Sequence, residues 1–142
     1  MTTENEVNVK CREWLGKNGY KYKGILNAKP EKSTDENGFG QVPIPDGTRS
    51  VLIDHQGVRD RPVDLIWIEA KGSDVGMSQL LEGFIRMVYA CYHGGGKGLL
   101  AIPTIESARM LEQSDFLRRV AVSCERQVGI LDAEGGSVTW LN

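Results

Sequence analysis

The sequence predicts an α/β protein with three layers, α/β/α, around a central mixed sheet of five strands. Two observations carry this expectation. Helix-like and strand-like segments follow one another as helix, three strands, helix, strand, helix, strand. A hairpin-linked meander followed by crossovers makes a mixed sheet with helices on both faces. In addition, the continuous apolar runs Leu65 to Ile68 and Gly98 to Pro103 have the pattern of strands buried on both sides. At 142 residues, the chain reads as a single domain spanning residues 1–142, long enough for one well-buried core.

Each element has a local reason. Val7, Cys11, Trp14 and Leu15 recur at helical spacing over Glu4 to Lys17, with Thr3 as the N-cap and Asn18-Gly19 as the stop. Tyr20 to Ala28 reads as the first strand. Residues 30–45 are rich in Pro, Gly, Asn, Glu and Lys and are expected to form a long loop of functional interest. Arg49 to Asp54 is the second expected strand, His55 to Pro62 a turn, and Val63 to Lys71 the third strand. A helix is expected from Ser78 to Tyr92, with Leu80, Leu81, Phe84, Ile85, Val88 and Tyr89 as its apolar stripe and His93-Gly94-Gly95-Gly96 ending it. After the strand at Gly98 to Pro103, Ile105 to Cys124 reads as a third helix with a break near Ser114-Asp115. Val128 to Asp132 and Val138 to Leu141 complete the chain as strands around the Glu134-Gly135-Gly136 turn.

Composition sets limits on function. Apolar content of 40% and charged content of 25% are those of an ordinary globular protein. A net charge of −2 argues against coating nucleic acid through bulk positive charge, but leaves room for a local basic groove. Lys10, Arg12, Lys17, Lys21, Lys23, Lys29 and Lys32 outnumber Glu4, Glu6, Glu13 and Glu31 near the N-terminus. That stretch is either a phosphate-facing surface or a solvated one. Cys11, Cys91 and Cys124 are too widely spaced for a zinc site or a disulfide framework and are expected to pack as small apolar residues. With no signal-peptide pattern and no run long enough to cross a bilayer, the expected location is cytoplasmic, without membrane contact.

The chemistry concentrates in Pro62-Val63-Asp64-Leu65-Ile66-Trp67-Ile68-Glu69-Ala70-Lys71-Gly72. A buried strand here ends on an acid and a base two residues apart. Alternation puts Glu69 and Lys71 on one face, roughly 6.6 Å apart along the strand. Desolvating such groups is costly without partners. A carboxylate that can hold a hard cation, beside an ammonium that can steady an anion or a water, suits phosphodiester hydrolysis. The plain alternative is a salt-bridged strand end.

Glu69-Ala70-Lys71, closing a hydrophobic third strand directly before a helix, resembles the second half-motif of the PD-(D/E)xK nuclease superfamily, which has a restriction-endonuclease-like fold and includes Holliday junction resolvases. The element order matches across nearly the whole chain. The resemblance implies a Mg²⁺-dependent nuclease (Mn²⁺ substituting) that hydrolyses DNA. Glu69 and a lead aspartate would be metal ligands, the Ala70 carbonyl a further one, and Lys71 would position or activate water.

Three aspartates compete for the lead position. Asp64, in Arg61-Pro62-Val63-Asp64-Leu65-Ile66, resembles the family's Pro-Asp-apolar text. In one extended strand, however, it lies on the face opposite Glu69 and about 16 Å away, unless the strand bulges. Asp46, in Pro45-Asp46, begins the expected second strand, which antiparallel pairing would bring beside Glu69 to Lys71. Asp54, in Ile53-Asp54-His55, also resembles a lead-acid motif, but a turn centred near Val58 would put it opposite residue 63. The order of preference is Asp46, Asp64, Asp54.

Lesser candidates surround these. The family often has a Gln or Lys where Gln79 stands and an extra carboxylate where Glu4 and Glu6 stand. Ser73 and Asp74 are equally well explained as a helix-entry loop. His55 and His93 have no ligand partners nearby in sequence. Gly94-Gly95-Gly96-Lys97-Gly98 follows a helix and lacks the phosphate-loop pattern, so it reads as a connector. The competing class is a binding module for nucleic acid or protein on the same scaffold, with its metal ligands lost. A weaker reading is an unrelated α/β domain. Cutting both strands of a duplex would call for a homodimer or membership of a larger assembly.

Overall fold

The helix and strand signals near the N-terminus resolve as expected. In the computed structural model, which describes residues 1–23, 41–47 and 50–142, helix α1 runs Glu4–Lys17. Thr3 Oγ1 accepts a hydrogen bond from the Glu6 N–H at 3.2 Å, and Gly19 follows with φ +80°. Strand β1 is Lys21–Lys23. Residues 24–28 of the expected first strand, residues 30–40 of the expected loop (with Lys29, Glu31 and Lys32 of the basic stretch) and Arg49 lie outside the described residues. Within the expected loop, Val42–Pro43 forms β2, which pairs with β3 (Leu52–Ile53) in a small antiparallel sheet of its own.

The chief departure comes next. His55–Asp60, expected as a turn, is strand β4, and it pairs antiparallel with β5 (Val63–Ala70) around a turn at Arg61-Pro62. Glycine inside a strand ordinarily weakens it; here Gly57 serves close packing. A Cβ on Gly57 would lie 2.6 Å from Leu15 Cδ2, 2.9 Å from Ile66 Cγ2 and 3.2 Å from Tyr20 Cβ. Its bare backbone is what lets α1 settle on the sheet. Gly57→Ala is therefore expected to cost about 1–3 kcal/mol by overpacking, read as a lower urea midpoint; an unchanged midpoint would show that α1 can back away freely.

The rest follows the expected order, with shifted ends. Helix α2 is Met77–Gly94, β6 is Lys97–Ile102, α3 is Thr104–Leu111, α4 is Ser114–Ser123, β7 is Val128–Asp132 and β8 is Val138–Trp140. The expected helix break at Ser114-Asp115 separates α3 from α4. Helix α2 sits rotated from its expected stripe. Leu80, Gly83, Phe84, Met87, Ala90 and Cys91 are buried, whereas Ile85 and Tyr89 are exposed. The small residues Gly83 and Ala90 allow this face to lie close against the sheet.

The main sheet has the order β1-β4-β5-β6-β7-β8, so β1 and β8 add antiparallel edges outside β4 and β7. Strands β5, β6 and β7 are parallel, and β4 joins β5 antiparallel, which makes the sheet mixed. One face packs Trp67, Leu100, Ile102 and Ile130 against Phe84 and Met87 of α2, Met110 of α3 and Leu117 of α4. The other packs Ile66, Ile68, Leu99 and Leu131 against Val7, Cys11 and Leu15 of α1. The result is the α/β/α architecture. All three cysteines are free and buried. Among the described residues, no helix is long and apolar enough to cross a membrane.

Candidate active site

The β4–β5 register decides which acid meets Glu69. His55 pairs with Ile68, so one step further along each strand sets Asp54 opposite Glu69. Asp54, third in the order of preference, is the aspartate the fold brings to the strand end. Its carboxylate accepts the Ala70 N–H at 2.8 Å through Oδ2 and a hydrogen bond from Gln41 Nε2 at 3.2 Å through Oδ1. The Lys71 N–H bonds the Ala101 carbonyl on β6 at 3.0 Å. Strand alternation therefore turns the N–H and C=O of Ala70 the other way, toward Asp54.

Asp54 and Glu69 are both buried and are hydrogen-bonded to each other. Burial pushes the Glu69 carboxyl well above its ordinary range; its hydrogen bond to Asp54 and the charge of Asp54 push it further, with Arg86 and Lys71 opposing. For Asp54, burial also acts upward, but is outweighed. Hydrogen bonds from Glu69, the Ala70 N–H and Gln41, with His55 nearby, hold it below the ordinary carboxylate range. The two environments push the acids apart, Glu69 toward its neutral form and Asp54 toward its ionised form. Their field reaches Cys11 on α1, whose thiol is raised first by burial and then by both charges. His55 itself is buried and hydrogen-bonded through Nε2 to Asn8 Oδ1 at 2.7 Å.

Lys71 leaves the same face as Glu69, and its alkyl stem passes Gly83 of α2. Its ammonium lies 4.0 Å from Glu4 Oε1. Gly72 makes this approach feasible, since a Cβ there would come within 2.7 Å of the Glu4 backbone nitrogen and 2.8 Å of the Thr2 carbonyl oxygen. Ser73 completes the stitch, its N–H donating to the Thr2 carbonyl at 2.8 Å and its Oγ accepting from the Thr2 N–H. Of the two glutamates at the start of α1, Glu4 is the one beside Lys71.

Asp46 and Asp64 stand elsewhere. Asp64 pairs with Arg59 across β4–β5, toward the Arg61-Pro62 end of the hairpin. There it accepts from Arg59 Nη2 at 3.2 Å, Lys97 Nζ at 3.0 Å, the Leu65 N–H at 3.0 Å and the Tyr20 hydroxyl. No bulge shortens β5, so the distance from Glu69 expected for a straight strand stands, and Asp64 anchors the hairpin end of the central strands. Asp46 lies between β2 and β3, where the Tyr89 hydroxyl of α2 donates to it at the surface. It misses Glu69 because Val42–Pro43 and Leu52–Ile53 pair with each other rather than with β5. Gln79 is used as a helix cap, its Oε1 accepting from the Gly76 N–H at 3.3 Å.

Two residues at the site had no sequence signal. Gln41 precedes β2 inside a stretch read as loop. Arg86 sits mid-helix, yet its Nε lies 3.5 Å from Glu69 Oε2. That oxygen is buried and accepts no hydrogen bond, so the ionic contact with Arg86 is the compensation it has from that side.

The oxygens gathered here suit a hard divalent cation. Two adjacent carboxyl groups, with one oxygen (Glu69 Oε2) that accepts no hydrogen bond, are the kind of pair that a cation relieves. Among the described residues, no group of three or more His, Cys, Asp or Glu side chains converges as a metal site. Mg²⁺ tolerates that, since it is commonly bound by one or two carboxylates plus waters and substrate phosphate oxygens.

An XisH family protein from Nostoc punctiforme PCC 73102 has a similar fold, with a TM-score of 0.51 and 16% sequence identity over 96% of this chain and 98% of that one. No model of a known protein family matches the chain. No curated protein matches it by sequence.

Proposed function

We propose that the chain is a metal-dependent nuclease of the PD-(D/E)xK kind, hydrolysing phosphodiester bonds of DNA. The observation that carries this reading is the buried Asp54–Glu69 pair at the ends of β4 and β5, with Lys71 on the same face as Glu69. Asp54, Glu69 and the Ala70 carbonyl would hold Mg²⁺, with Mn²⁺ able to replace it. Bound there, the ion would polarise the scissile phosphate and lower the pKa of a water. Lys71, steadied by Glu4, would donate hydrogen bonds to the attacking water or to the phosphate oxygen on which charge develops. Gln41 and the Ala70 N–H would keep the Asp54 carboxylate fixed in direction, so that little reorganisation is needed when substrate arrives.

Titration with MnCl₂ and a DNA hydrolysis assay test this directly. Lys71→Ala should retain Mn²⁺ affinity while losing about 10²–10³ in cleavage rate. A Lys71→Ala protein as active as wild type would remove the lysine from the mechanism, and a wild type that neither binds Mn²⁺ nor cleaves DNA in its presence would end the proposal.

The Arg86–Glu69 contact favours a second reading. If that internal cation is permanent, the scaffold is a binding module for nucleic acid or protein whose acid pair is structural. Mn²⁺ binding that depends on Glu69 separates the two.

A further inference from the structure

Arg86 straddles two unlike carboxylates. Its Nη2 donates to Glu82 Oε1 at 3.4 Å, one helical turn earlier, and its Nε approaches Glu69 Oε2 at 3.5 Å without forming a hydrogen bond. The Glu82 side chain is 68% exposed and that of Glu69 only 2%, with Arg86 between them at 34%. The guanidinium is therefore anchored at the solvent side and leans inward on the buried acid. It occupies the side of Glu69 whose oxygen has no hydrogen bond. A divalent ion bound through that oxygen would face a permanent positive charge at contact distance.

We infer that Arg86 is a built-in competitor for the divalent cation at Glu69, that Glu82 draws it off, and that the released guanidinium takes a phosphate of the DNA strand. This rests on the metal-site reading of Asp54 and Glu69. The i, i+4 spacing of Glu82 and Arg86 gives the arginine a second resting place on its own helix. Its planar set of N–H donors matches two phosphate oxygens at once. Arg86 thus acts as a positioning residue before substrate binds and as a substrate contact afterwards.

The two charges should have opposite effects on metal binding, which a merely structural role would not produce. In calorimetric titration of the full chain with MnCl₂ in the absence of DNA, Arg86→Gln should bind about five- to tenfold more tightly than wild type. Glu82→Gln should bind several-fold more weakly, because Arg86 then rests on Glu69 alone. The MnCl₂-induced rise in thermal midpoint should follow the same order. Should Arg86→Gln fail to fold, the exposed Glu82→Gln variant still decides by itself. Unchanged affinities, or weaker binding by Arg86→Gln, would overturn the inference and leave the metal site standing. Mn²⁺ binding by neither wild type nor Arg86→Gln would overturn the metal site and this inference together. Binding by Arg86→Gln alone would support a competition strong enough to exclude the ion. For the phosphate contact, duplex DNA binding in CaCl₂ should show a salt slope smaller by about one in Arg86→Gln; an unchanged slope would overturn that half.

Discussion

Asp54→Asn should lower Mg²⁺-dependent DNA hydrolysis by about a hundred- to a thousandfold or more, with the fold retained. Asparagine keeps an oxygen that can accept the Ala70 N–H and an amide that can donate to Glu69, while the Gln41 amide must turn over so that its oxygen, rather than its nitrogen, faces the new NH₂. What disappears is one of the two negative charges available to a cation. Asp46→Asn and Asp64→Asn are the controls, because their carboxylates serve Tyr89 at the surface and the Arg59–Lys97–Tyr20 cluster at the hairpin end of the sheet. Both should cleave within about threefold of wild type when assayed as folded protein, while Asp64→Asn should unfold more readily, by about 1–3 kcal/mol. Loss of activity in Asp46→Asn with full activity in Asp54→Asn would refute the assignment of the lead acid.

A second large effect is expected in how stability responds to pH and metal. Glu69 has a folded pKa above its ordinary value of 4.5. Its contribution to stability is therefore fully present below that value and is lost as pH rises through the raised folded pKa. Asp54 works in the opposite sense. Its folded pKa lies below 3.8, so its contribution is present above that value and disappears as pH falls through the folded pKa. The metal-free protein should accordingly be most stable in mild acid and weaken toward neutral and alkaline pH, by about 1.4 kcal/mol for each unit that separates the folded and unfolded pKa of Glu69. A cation binds the ionised form of Glu69, whose pKa is raised, so Mn²⁺ should stabilise more as pH rises. At a hundred times its Kd the ion adds about 2.7 kcal/mol. Glu69→Gln should flatten the pH profile and abolish the Mn²⁺ effect, and should itself be neutral or more stable by about 1–2 kcal/mol without metal. Thermal melts across pH, with and without MnCl₂, read all of this; superimposable profiles for wild type and Glu69→Gln would contradict the raised pKa of Glu69.

The amino-acid sequence by itself determined the elements whose signals are local. Helix α1 with its Thr3 cap, the apolar strands β5 and β6, the interruption between α3 and α4, and the Glu69-Ala70-Lys71 strand end were all legible because capping, hydrophobic period and alternation act within a few residues. Those signals were also enough for the three-layer α/β class. Tertiary structure decided what depends on register and on the partner across a gap. His55–Asp60 is polar and contains a glycine, so nothing local marks it as a strand. Only the close seating of Leu15 and Ile66 around Gly57 shows why a strand without a Cβ is needed there. That strand moves the hairpin turn from near Val58 to Arg61-Pro62, and the shift carries Asp54 to Glu69 and leaves Asp64 at the far end. Arg86 and Gln41 reach the acid pair across α2 and the small β2–β3 sheet, contacts that no spacing rule encodes. A strand's chemistry is fixed by its residues, but which residue of another strand it faces is set by pairing register, and a single misplaced turn reassigns every partner.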